Sequence, residues 1–262
     1  MGGFLMKNGL LKEMKLEKLS IEVYKSNKEM GEAAAKEAAN LIKEAINSKR
    51  TANVILATGN SQLSFLEKLR EMKDIYWPAV NIFHLDEYLD LPFEHPASFS
   101  SFLKKNFLSY VNVCSFFPVP CHPQDVEIAC KGYEYLLKAH PIDVCFAGIG
   151  ENGHLAFNEP TVADFDDPVW VKTVKLEEKS RQQQINEEHF KSLEEVPTHA
   201  ITLTIPELLS AKKILCMVPE KRKANAVRST LYEPISHGFP ASILRKTGNA
   251  KLFLDRDSAS EI

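Results

Sequence analysis

The sequence predicts an α/β fold, a largely parallel sheet with helices on both faces. Two observations carry the expectation. Short apolar runs rich in β-branched or aromatic residues alternate with longer amphipathic stretches, and chains with that rhythm bury a parallel sheet between helical layers. Polar and glycine residues also collect directly after the apolar runs, at the strand ends where open α/β sheets hold their ligands.

Taken in order, "LSIEVY" (19–24) reads as a strand and "EMGEAAAKEAANLIKEAI" (29–46) as the helix after it. "NVILAT" (53–58) and "VNIFHL" (80–85) read as strands on either side of the helical pattern "SQLSFLEKLREM" (61–72). The rhythm continues through "DVCFAGIG" (143–150), "KILCMVP" (213–219) and "AKLFLD" (250–255). One domain over residues 1–262 is expected, with residues 1–18 set apart as an N-terminal extension. The stretch "TVADFDDP" (161–168) and the polar region from Ser180 to Thr198 carry the weakest pattern, and are expected to form a lid or flap beside the site.

Composition narrows the function classes. The chain is 44% hydrophobic and 26% charged, ordinary for a globular protein with a sizeable core. Its formal charge of −3 gives no electrostatic reason to expect nucleic acid or an anionic membrane as partner. A small-molecule ligand fits better, and a homo-oligomer is compatible with the same composition. Five cysteines with no C-x-x-C spacing and no recognisable leader point to a reducing compartment, so a cytoplasmic protein is expected. No apolar run is long enough to span a bilayer. Cys121 and His122, between Cys114 and Cys130, make no zinc ligand pattern, and neither a paired zinc set nor a nucleophilic serine elbow occurs elsewhere.

Four strand ends then present candidate chemistry. "ATGNSQ" places Thr58, Gly59, Asn60 and Ser61 before a helix, where backbone N–H groups attract a phosphate; Ser61 as a plain helix cap accounts for it equally well. Asp86 and Glu87 end a buried strand, and such a pair binds a metal, caps a loop or supplies a base, with capping favoured for an isolated pair. His84, two residues earlier, reads as a core or supporting histidine, and the aromatics of "HPASFSSFL" as packing. In "GIGENGHLAFNEP" (148–160) the glycines allow a tight path close to a ligand, while His154 is suited to moving protons and Glu159 to fixing its tautomer; a structural histidine remains the alternative. Lys221, Arg222 and Lys223 open a helix, where an anion would relieve the clash with the helix dipole, and Arg181 in "KSRQQQ" is a second cation; both also read as solvated basic faces.

In this order, "ATGNSQ", "HLDEYLDLPFEHPASFSSFL", "GIGENGHLAFNEP", "KSR", "RKANAV" and "PASIL" resemble the glucosamine-6-phosphate deaminase/isomerase family over roughly residues 50 to 245. The resemblance implies a modified Rossmann-type fold and the conversion of glucosamine 6-phosphate and water into fructose 6-phosphate and ammonia, without metal or cofactor. It assigns Asp86 as the proton-carrying base, His154 as the ring-opening acid/base, Glu159 as its partner and Asn152 to the histidine's support. Thr58, Gly59, Asn60, Ser61, Arg181 and Lys223 fall on the phosphate contacts. Asn152 stands where many members have Asp, "TGNSQ" replaces the commoner "TGGTP", and "SRQQQ" departs from the usual continuation. The alternatives are a 6-phosphogluconolactonase-like hydrolase, whose histidine is normally followed by a different pattern from "LAFNEP", and a non-catalytic sugar-phosphate-binding regulator, which would be expected to lose Asp86 or His154.

Overall fold

A computed structural model describes residues 8–262 except Glu187. The chain begins with a hairpin, β1 (Leu10–Leu16) and β2 (Leu19–Tyr24), followed by the long α1 (Asn27–Lys49). Ser26 caps α1, accepting from the Glu29 N–H, and Met30, Ala34, Ala38 and Ile42 form its buried stripe at the four-residue spacing of one helix face. β3 (Ala52–Leu56), α2 (Leu63–Arg70) and β4 (Val80–His84) come next. After β4 the short β5 (Asp86–Tyr88) turns away from the sheet, and α3 (Phe99–Leu103), β6 (Ser115–Phe117), α4 (Val126–Ala139) and β7 (Val144–Ala147) follow. The remainder comprises β8 (Val171–Lys175), α5 (Glu178–Asn186), β9 (His199–Leu203), α6 (Ile205–Ser210), β10 (Lys213–Val218), α7 (Ala224–Tyr232), α8 (Leu244–Thr247) and β11 (Ala250–Asp255).

Among the described residues, eight strands form the main sheet in the order β1-β2-β11-β10-β7-β3-β4-β6. All its pairings are parallel except that of β1 with β2. Successive side chains of a strand face opposite ways, so each strand feeds two cores. Val54, Leu56, Val144, Phe146, Leu215 and Met217 pack on one face with residues of α1 and α2, such as Ile42 and Phe65. Ile55, Cys145, Ala147, Ile214, Cys216 and Val218 pack on the other, with Tyr133 of α4 and Val227 of α7. This double burial explains why these strands read as continuous apolar runs.

The sheet is α/β and mostly parallel, as expected. Residues 10–16, within the stretch set apart as an extension, form the edge strand β1. A second, antiparallel sheet, β5-β9-β8, was not legible from the sequence. It lies over a third cluster including Tyr88, Phe157, Val174 and Phe190, and it carries the flap region. No described helix is long and apolar enough to cross a membrane. All five cysteines are free thiols, with only Cys114 exposed.

Candidate active site

Chain order fixes where a site can form. β3 is followed by β4 on one side of it, whereas β7 and β10 return on the other, so the sheet reverses its winding between β3 and β7. The loops leaving the carboxyl ends at such a point splay apart and leave a crevice. One cavity occupies it, bounded by Thr58, Gly59, Asn60 and Ser61 after β3 and by Asp86 after β4. Gly148, Gly150 and His154 after β7, with Arg222 and Lys223 after β10, complete that edge.

The loop after β3 turns on Gly59, whose φ of +95° is one that side chains rarely adopt. An added Cβ there would meet nothing within 4 Å, so the backbone, and not the space, requires glycine. Ser61 lies in a 3-10 turn, Asn60–Gln62, and does not cap α2; Gln62 occupies that position without a side-chain cap bond. The cap reading of Ser61 is therefore corrected, because the 3-10 turn postpones the helix to Leu63.

The acidic pair divides its roles. Glu87 is fully buried, and its carboxylate accepts from the N–H groups of Tyr88 (3.1 Å), Phe99 (3.0 Å) and Ser100 (2.9 Å) at the start of α3. Hydrogen bonds to a charged group are each worth about 1.5–3 kcal/mol, so three of them offset much of a burial cost of several kcal/mol per ion, although burial still holds the Glu87 pKa above its ordinary value. The capping role thus belongs to Glu87. Asp86, 7% exposed, points from the strand's other face to the cavity, and its side chain makes no hydrogen bond among the described residues. Burial first, and the neighbouring Glu87 second, hold its carboxyl well above the usual range.

The loop after β7 is built around one imidazole. A Cβ on Gly150 would lie 2.2 Å from the His154 ring, so this position has no room for a side chain. Gly153 takes φ +85°, and its carbonyl accepts from Ala241, which ties in the "PASIL" segment at 2.9 Å. Ala156 adopts φ +51° in the tight turn that carries the chain on to Glu159. Desolvation chiefly, and then the charge of Lys223, push the His154 pKa down to about 3, so the imidazole is neutral near pH 7. Its Nδ1 is buried without a partner.

Three expected contacts differ from what the structure shows. Asn152 does not hold the His154 ring: its Oδ1 accepts from the His154 backbone N–H at 3.2 Å, a short-range turn that Asn favours. Glu159 is not hydrogen-bonded to His154. Its carboxylate is fully buried and accepts from the Glu177 N–H at 2.7 Å, anchoring the segment that leads into α5. Arg181 does not line the cavity; its guanidinium donates to the carbonyls of Leu193 and Val196 (2.8 Å to the latter) and braces the flap.

Lys223 is brought to the cavity as expected, 5% exposed at the end of the 3-10 turn Lys221–Lys223. Arg222 beside it bridges Glu220 (2.6 Å) and Glu151 (3.2 Å), joining the loops after β10 and β7. Gln184 and His189 of the flap, with Phe99 and Phe102 of α3, also border the cavity. Sequence reasoning gave the aromatics to packing and passed over the flap pair; the unusual "QQQ" run was the one signal available for the latter. His84 is a supporting core residue, its Nε2 accepting from the Val119 N–H at 2.5 Å, and burial lowers its pKa to about 3.

The motifs of this cavity fall within residues 25–253, which match the family described as glucosamine-6-phosphate isomerases/6-phosphogluconolactonase. The chain belongs to this family. It is 34% identical over 242 residues to glucosamine-6-phosphate deaminases of Bacillus thuringiensis (strain Al Hakam) and Bacillus cereus (strain AH820), covering 92% of this chain and 88% of theirs. A solved monomeric glucosamine-6-phosphate deaminase, described as a missing link of the NagB superfamily, superposes with a TM-score of 0.84 at 31% identity, covering 95% of this chain and all of that one. A 6-phosphogluconolactonase from Leishmania guyanensis, at 20% identity, superposes with a TM-score of 0.74 over 92% of this chain and 98% of its own, and shares the fold.

The division between Glu87 and Asp86 is testable by stability. Glu87→Ala leaves three N–H groups without their acceptor and is expected to lower the unfolding free energy by about 2–4 kcal/mol. Asp86→Asn removes an unpaired buried carboxyl and is expected to leave it unchanged or raise it. Urea unfolding of both variants measures this; equal destabilisation would mean that Asp86 also has a structural partner.

Proposed function

We propose that this chain converts glucosamine 6-phosphate and water into fructose 6-phosphate and ammonia. The observation that carries the reading is the placement of a buried, unpaired carboxyl, Asp86, on the same cavity as the neutral imidazole of His154 and the buried cation of Lys223. Its relatives named glucosamine-6-phosphate deaminase support the same reaction.

Each step has a group suited to it. A neutral imidazole can take the proton from the anomeric hydroxyl and return one to the ring oxygen, which opens the sugar. Ionised Asp86, a stronger base than an ordinary aspartate because its pKa is raised, removes the proton from C2 and delivers it to C1, while O1 gains a proton and the amine gives one up, so that the aldehyde becomes an alcohol and the amine an imine. The imine then standing at C2 adds water and expels ammonia. Lys223, together with the N–H groups and hydroxyls of residues 58–61, holds the phosphate, so that binding energy far from the reacting carbons fixes their orientation. Glu159 and Arg181 act at a distance in this reading: both secure the flap, one through Glu177 and the other through Leu193 and Val196.

The direct test is to supply glucosamine 6-phosphate and, separately, 6-phosphogluconolactone to the purified protein. Ammonia and fructose 6-phosphate are expected from the first, with no acceleration of the second. Lactone hydrolysis without ammonia release would reassign the enzyme, and neither activity would leave a binding protein.

The cations should separate under mutation. Lys223→Ala should raise KM for glucosamine 6-phosphate by roughly 10- to 100-fold, the loss of one charged hydrogen bond, and should have little effect on unphosphorylated glucosamine. Arg181→Ala should instead lower the flap's resistance to proteolysis and reduce turnover of both sugars alike. Saturation kinetics on the two substrates decide; a phosphate-selective loss for Arg181→Ala would restore it to the phosphate site.

A further inference from the structure

The loop after β3 ends in Gln62, the last residue of the 3-10 turn Asn60–Gln62. Its side chain is turned inward, 1% exposed, and does not border the cavity. The Nε2 group donates to the Ser61 Oγ at 3.1 Å and to the Met217 carbonyl, near the end of β10, at 3.4 Å. Gly148 makes room for this arrangement: a Cβ there would come within 3.1 Å of Nε2 and 3.5 Å of the Ser61 Oγ. One amide thus ties the loop after β3 to the end of β10, beside the loop after β7.

The chemistry of that amide fixes the direction of a hydroxyl. The Met217 carbonyl can only accept, so the Gln62 NH2, and not its oxygen, must face it. The same NH2 then reaches Ser61, whose oxygen is obliged to accept. A serine hydroxyl that accepts on one side has its own proton left to give on another, and Ser61 borders the cavity. Meanwhile the Gln62 Oε1 is buried without a partner. An apolar side chain would avoid that cost, which argues that the amide is kept for what its NH2 does.

We propose that Gln62 is a positioning residue for anion binding: it holds the Ser61 hydroxyl as a donor aimed into the cavity, pre-set for a phosphate oxygen. The inference rests on reading the 58–61 loop as the phosphate end of the site. A preset donor binds an anion better than a free rotor because its orientation is fixed before the ligand arrives. Gln62 touches no ligand, and its effect passes entirely through Ser61.

A double-mutant cycle tests it, with inorganic phosphate as the probe and calorimetry or phosphorus NMR as the readout, so that no catalysis is required. Gln62→Met, close in shape but without the NH2, should weaken phosphate binding about three- to tenfold, the range of one neutral hydrogen bond. In a Ser61→Ala background the same substitution should change nothing further, and KM for glucosamine 6-phosphate should follow the phosphate affinity while kcat moves less. An equal loss with and without the Ser61 hydroxyl would make Gln62 merely structural, and no loss in the single variant would overturn the proposal. Should Gln62→Met not fold, Ser61→Ala alone decides: unchanged phosphate affinity would show that no donor was there to orient. Coupled phosphate binding without ammonia release would leave this inference standing and remove the proposed reaction instead.

Discussion

The parallel pairing of β10, β7, β3 and β4 is the constraint on which the site depends. Their registers, Ile214 with Cys145, Ile55 with Cys145, and Ile55 with Phe83, hold four carboxyl ends level along one edge. Each strand ends in a loop whose first few residues point out of that edge, so groups more than 160 positions apart in sequence, Thr58 and Lys223, border one cavity. Ile42 and Phe65 cover one face of these strands, and Tyr133 and Val227 the other. A slip of one residue in any of these strands would exchange its two core faces and carry its loop away from the others.

Within that frame, water exclusion sorts chemically similar groups into different tasks. Asp86 and Glu87 are adjacent carboxyls in a buried strand, and their difference comes from backbone N–H groups: Glu87 has three and Asp86 none. The first is held in place by the start of α3, whereas the second faces the cavity without such partners, its pKa raised by burial. His154 shows the opposite sign of the same effect, since burial disfavours its charged form. A neutral imidazole and a carboxyl with a raised pKa thus border one cavity. The glycine at 150 is part of this arrangement, because it lets the imidazole lie against the backbone.

The parallel sheet was legible because its strands are buried on both faces and written as unbroken apolar runs. β5, β8 and β9 were not: β5 follows β4 after Leu85 alone and reads as its continuation, and β8 is only five residues, "VKTVK", with Val171 and Val174 buried three apart and so without the alternation of a strand. At the site, Asp86, His154, Lys223 and the 58–61 turn were expected together from their places just after apolar runs and from the family resemblance, and all of them border the cavity. The misplaced expectations concern side chains long enough to reach elsewhere. Arg181 and Glu159 each find backbone partners in the flap, and nothing in a linear pattern says which way a long side chain will turn. Gln184 and His189 were missed for a related reason, since the flap reaches the cavity through the packing of Phe190 against Tyr88 and His95, a contact between distant segments.

The central claim is that Asp86 carries a proton between neighbouring carbons of a bound sugar phosphate. Incubating the protein with fructose 6-phosphate and ammonium in heavy water, and following the C1 protons by NMR, measures that transfer in the reverse direction. The wild-type chain should exchange a C1 proton for deuterium, while Asp86→Asn should bind fructose 6-phosphate with similar affinity and show no exchange above background. Exchange at the wild-type rate in Asp86→Asn would place the base elsewhere and contradict the account.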